Sequence, residues 1–120
     1  VVDASALDSI ESCDWLLLCT GQSEKWGSEE YFGTEPLFTE AFVKAAARIA
    51  RKGIGLDCSG LDREGVALHC VWFSSGGGLM VENLTDLEML LSESRILFAA
   101  YPLKLAAGDG APVRAVAVLV

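Results

Sequence analysis

"DWLLLCTG", residues 14–21, sets the fold class. Trp15 to Cys19 is an unbroken apolar run, and Thr20 and Gly21 close it with a turn. An apolar run without polar alternation is the mark of a strand covered on both faces, as in parallel sheets flanked by helices. Upstream, "ASALDSIES" (4–12) predicts a short helix capped at Ser5, with Leu7 and Ile10 facing inward. Downstream, residues 21–38 form a polar and aromatic connector. It is long for its place and therefore a candidate functional loop.

A helix is expected from about Thr39 to Lys52, with Phe42, Ala46 and Ile49 on one stripe. Basic residues in its last turn and Gly53 just beyond supply the usual stop signals. "IGLD" (54–57) reads as a second strand and "CSGLDREG" (58–65) as turns. Residues 64–75 predict another helix, carrying Leu68, Val71 and Trp72 along one side. "LMVEN" (79–83) is a third strand and "LTDLEMLLSES" (84–94) a further short helix. "RILFAAYPLKL" and "PVRAVAVLV" read as an antiparallel pair joined by "AAGDGA". The order βαβαβαββ predicts one α/β domain over residues 1–120, with a mixed sheet and flanking helices. Strand order stays open.

The charge balance narrows function. Lys plus Arg is 9 against 17 Asp plus Glu, a net charge of −8, which opposes binding to nucleic acid or anionic membrane. No apolar run approaches the roughly 20 residues that span a bilayer. The first residues, "VVDASALDSIESC", lack the basic start and apolar core of a signal peptide. Cys13, Cys19, Cys58 and Cys70 form no C-x-x-C pair, so reduced, mostly buried thiols of a cytoplasmic protein are expected. "SSGGG" (74–78) matches neither glycine-rich phosphate-binding pattern, and no G-x-S-x-G elbow is present.

Three polar residues end the three strands: Thr20, Asp57 and Glu82. In a parallel sheet they share the carboxyl edge, where ligands gather. The plainer alternative is that strands end in polar residues because loops are wet. Glu82 follows "LMV", where a carboxylate needs a cation or hydrogen-bond donors. His69, the sole histidine, sits beside Leu68 and Val71 and by itself reads equally as a packed helix residue.

Several segments, in order, resemble one family. "VVDASAL", "DWLLLCTG", "YF" with "EPLFTEAFVKAAA", "GIGLDCSGLD", "LH…VENL" and "YPLKLAAGDGAPVRAVAV" are similar to the metal-dependent hydrolases of the "cyclase family". That family includes bacterial kynurenine formamidase and isatin hydrolase. The resemblance implies a swivelling β/β/α fold, a homodimer or tetramer, and arylformamidase-like hydrolysis of a small amide, lactam or related carbonyl compound. It implies zinc or manganese held by an early H-x-G-T-H-x-D segment together with a later His and Glu. His69 and Glu82 match the later pair. Asp57 and Thr20 would brace the pocket, and Trp26 and Tyr31 would wall the substrate.

The early segment is not among these residues, since His69 is the only histidine. The resemblance therefore implies a C-terminal portion, incomplete at its N-terminus and inactive alone. The alternative is a non-catalytic relative that acts as a binding or assembly subunit.

Overall fold

Helix α1 (Glu40–Ile49) begins where the Thr39 hydroxyl accepts the Phe42 amide at 3.1 Å, in a computed structural model that describes residues 1–120. Capping of this kind satisfies one of the amides that a helix start leaves unpaired. Phe42, Val43, Ala46 and Ala47 form the buried face of α1, with Ile49 partly covered beside them. That face lies on a three-stranded parallel sheet of order β1-β2-β3, comprising Cys13–Leu18, Ala50–Leu56 and Leu79–Val81. The register pairs Leu16 with Ile54, Leu18 with Leu56, and Gly55 with Val81.

Helix α2 (Ala67–Ser74) closes the core with Trp72, which is fully buried and donates its indole N–H to the Gly78 carbonyl at 2.9 Å. Phe42, Ile54 and Leu56 are also fully buried, each burial stabilising the fold by roughly 1.5–3 kcal/mol. The glycine tract serves this packing. A Cβ on Gly77 would lie 2.3 Å from the Trp72 ring, and one on Gly78 would lie 2.1 Å from the Lys52 carbonyl oxygen.

Several expected boundaries move. α1 stops at Ile49 and passes directly into β2 at Ala50, so the second strand starts well before "IGLD". Arg51 and Lys52 do not cap a helix. They lie in β2 and pair with Asp14 at 2.9 and 2.6 Å. Gly53 is a strand residue as well, where a Cβ would stand 2.3 Å from the Leu79 carbonyl oxygen and block the β2–β3 ladder.

The first helix is only a 3₁₀ turn, Ala4–Leu7. Asp3 caps it, accepting the Ser5 amide at 2.9 Å; Leu7 is buried but Ile10 is exposed. Among the residues of β1 only Leu16 is buried and the rest are half-covered, so this edge strand is not the doubly covered strand its apolar run predicts. The helix expected over 84–94 reduces to a 3₁₀ turn at Leu87–Leu90.

The chain divides into two compact units, Val1–Glu88 and Met89–Val120. The second is an antiparallel ribbon of β4 (Ile96–Pro102) and β5 (Val113–Leu119), paired from Ile96–Leu119 to Pro102–Val113. This pair has its own ladder and does not join the parallel strands, so two sheets replace the single mixed sheet. No helix is long and apolar enough to cross a membrane.

Candidate functional site

Because the three strands of the first unit are parallel, Thr20, Asp57 and Glu82 all emerge at its carboxyl edge. They do not form one cluster. The Asp57 carboxylate is fully buried and accepts the Thr20 hydroxyl at 2.5 Å and the Thr20 and Gly21 amides at 2.8 Å each. Those bonds tie the end of β1 to the end of β2. Glu82 instead faces His69.

Asp62 positions His69. Its two oxygens accept the Leu68 and His69 amides at 2.8 and 2.9 Å, the donors that the first turn of α2 leaves free. The same carboxylate lies 2.6 Å from His69 Nδ1, while His69 Nε2 lies 3.2 Å from Glu82 Oε1. A neutral imidazole bonded to Asp62 through Nδ1–H turns a bare Nε2 lone pair toward Glu82. Two electron-rich atoms face each other favourably only with a proton or a cation between them.

The electrostatics agree with the geometry. Burial pushes the His69 imidazole down, but the hydrogen bonds and negative charge of Asp62 and Glu82 outweigh it and hold the ring above its usual range. Asp62 is shifted the other way. Burial raises it, and the bonds from the Leu68 amide and His69 more than reverse that. Burial also raises Tyr31 and pushes the Cys58 thiol up to about 11, and Asp57, Glu35 and Glu82 add to both effects.

The residues present fit a metal in part. Two ligands each about 2.1 Å from one ion stand roughly 3.0–3.4 Å apart for angles between octahedral and tetrahedral. The 3.2 Å between His69 and Glu82 falls within that range. Asp62 on Nδ1 is the carboxylate–histidine arrangement that orients metal-bound imidazoles. No group of three or more His, Cys, Asp or Glu side chains stands ready to hold an ion, so these residues offer a pair and not a full set.

The remaining expected residues join from the 21–38 loop. Tyr31 is buried and donates its hydroxyl to Asn83 Oδ1 at 2.5 Å. Trp26 packs edge-on against Tyr31, with centroids 4.9 Å apart, and stays largely exposed. Cys70 is exposed on α2, and the other three thiols are likewise unpaired.

Four residues of the site escaped the sequence reading: Gly60, Asp62, Asn83 and Glu35. Gly60 has φ +147°, and a Cβ there would lie 2.7 Å from Glu82 Oε1 and 3.1 Å from His69 Cε1. The signal available was an Asp and a Gly in the turn "CSGLD" ahead of the His69 helix.

No family model matches the chain. It is 32% identical over 115 residues to an uncharacterized protein of Methanocaldococcus jannaschii, covering 93% of this chain and 58% of that relative. Several solved structures share its fold, two of which follow. One is described as a potential metal-dependent hydrolase with cyclase activity, at 32% identity and a TM-score of 0.69. The other is a predicted metal-dependent hydrolase from Bacillus stearothermophilus, at 31% identity and a TM-score of 0.66. Both matches cover 92% of this chain, and 53% and 52% of the respective structures. The chain thus spans little more than half the length of the proteins it resembles.

Proposed function

We propose that this chain contributes His69 and Glu82 to the metal centre of a hydrolase acting on a small amide, lactam or related carbonyl compound. The observation that carries the reading is the imidazole anchored to Asp62, with Nε2 turned toward Glu82 at 3.2 Å. The likeness to structures described as metal-dependent hydrolases supports it. Imidazole nitrogen with carboxylate oxygen suits zinc or manganese. The remaining ligands come from outside these residues, either from further polypeptide or from another subunit of a dimer or tetramer.

When bound, the ion supplies activated water and stabilises negative charge on the carbonyl oxygen. The chain's own residues orient the site. Asp62 fixes the imidazole tautomer and aims Nε2. Glu82 brings a negative oxygen to the same point, and Asp57 holds the neighbouring strand ends together. On the loop side, buried Tyr31 ties the loop to Asn83, and the exposed Trp26 packed against it offers aromatic surface to a planar substrate.

The test is metal content and hydrolysis of formamide and lactam substrates by the native gene product. His69→Ala and Glu82→Ala should each abolish hydrolysis and lower metal stoichiometry, and Asp62→Asn should weaken metal binding about 10- to 100-fold. Unchanged stoichiometry and hydrolysis in both alanine variants would falsify the reading. A second reading, a non-catalytic binding or assembly subunit, draws support from the absence of a third ligand beside the pair. It predicts no metal-dependent hydrolysis from the native product at all.

A further inference from the structure

We propose that Glu35 is a positioning residue for His69, acting through the turn 59–63, so that the 21–38 loop sets the geometry of the ligand pair. This rests on reading His69 and Glu82 as ligands. Glu35 is 3% exposed, and a carboxylate so buried is costly unless donors surround it. Its Oε2 accepts the Gly33 amide at 2.6 Å and its Oε1 accepts the Ser59 hydroxyl at 3.2 Å. Arg63 Nε lies 3.7 Å from Oε2, and Arg63 Nη2 donates to the Glu35 backbone carbonyl.

Ser59 and Arg63 bracket Gly60, Leu61 and Asp62. Glu35 therefore holds both ends of the turn that carries the carboxylate on His69 Nδ1 and the glycine against His69 and Glu82. A buried apolar residue at position 35 would fill space and keep the Arg63 bond to the backbone carbonyl, but would lose the bond that fixes Ser59 and the ion pair to Arg63. The loop is itself braced: Gln22 Nε2 donates to the Tyr31 carbonyl at 2.5 Å and lies 3.2 Å from the Thr34 hydroxyl. On the far side, the Tyr31–Asn83 bond ties the same loop to the residue after Glu82. One loop thus reaches the supports of both ligands.

A single histidine makes the test specific. In the chain labelled with ¹⁵N-histidine and freed of metal, long-range ¹H–¹⁵N spectra at a pH where the ring is neutral report which nitrogen holds the proton. The wild-type ring should be protonated dominantly on Nδ1. Glu35→Ala should make that tautomer a minority, Glu35→Gln should retain most of it, and Glu40→Gln on the α1 surface should leave it unchanged. A folded Glu35→Ala with wild-type ring shifts overturns the proposal, even if its melting temperature falls.

Should Glu35→Ala fail to fold, Ser59→Ala and Arg63→Met carry the test, and unchanged shifts in both overturn it. The two readings separate cleanly. A ring that responds to Glu35→Ala, with native metal binding indifferent to His69→Ala, removes the ligand assignment and keeps the positioning role. An unresponsive ring, with metal binding lost in His69→Ala, removes only the role of Glu35.

Discussion

Replacing Gly60 with alanine tests the site at its tightest point. The backbone there has φ +147°, a conformation L-residues rarely adopt, so the substitution costs about 1–3 kcal/mol in strain. The new methyl would meet Glu82 Oε1 at 2.7 Å and the His69 ring at 3.1 Å (Cε1) and 3.4 Å (Nε2). The Glu82 carboxylate is the far end of a flexible, partly exposed side chain and swings away at small cost. The ring is held by Asp62 and has less freedom.

The stability loss therefore stays near the backbone figure, while the His69–Glu82 contact is broken. At about 2 kcal/mol, the melting temperature should fall by roughly 8–16 °C for a unit of this size. Gly65→Ala is the control, because Gly65 also has positive φ (+74°) but nothing within 4 Å of an added Cβ. Circular-dichroism melts and the His69 ring spectrum of both variants provide the assay. Both should lose stability, and only Gly60→Ala should disturb the ring. Identical ring spectra in the two variants would refute the reasoning that Gly60 is required for space beside the pair.

Two further outcomes follow from burial and charge. Cys58 is fully buried with its thiol raised to about 11, whereas Cys70 is exposed, so a thiol reagent at pH 8 should modify Cys70 quickly and Cys58 only on unfolding. Equal rates in mass-resolved labelling would show that the core opens freely. The His69 ring is raised above its reference of 6.5, so its stabilising contribution is fully present below that pH and is lost as pH rises through the folded value. In urea titrations of the metal-free chain from pH 5 to 9, the difference between wild type and His69→Gln should shrink toward alkaline pH; a difference that grows would contradict the assignment.

The strands were legible because their signals are local. The run after Trp15, "LMV" and the late apolar pair all appear where expected as β1, β3 and the ribbon. The stop of α1 was not legible, because Arg51, Lys52 and Gly53 look the same beside a helix end as in a strand. What decides is distant: Asp14 draws the two bases across to β1, and the Leu79 carbonyl leaves no room for a Cβ at position 53. The first turn departs from expectation for a nearer reason, since Asp3 takes the cap by accepting the Ser5 amide and also accepts the Ser5 hydroxyl. At the site, His69 and Glu82 stood out by chemistry and resemblance. Their supports did not, because Asp62, Gly60, Glu35 and Asn83 acquire meaning only through contacts across the fold.

The direct passage from α1 into β2 constrains how this polypeptide can vary in length. Ile49 is helical and Ala50 already belongs to the strand, with no connecting residue between them. An insertion of one residue there would rotate the helix by about 100° relative to the sheet. Alternatively it would slide the strand by one step and turn every side chain after it to the opposite face. The first change would turn Phe42 and Ala46 off the sheet, and the second would carry Asp57 away from Thr20. The connection over 103–112, between β4 and β5, has no such constraint and offers an exposed place for added sequence. Insertions and deletions among relatives should therefore collect there and be missing at position 49–50, a pattern set by geometry before any selection on activity.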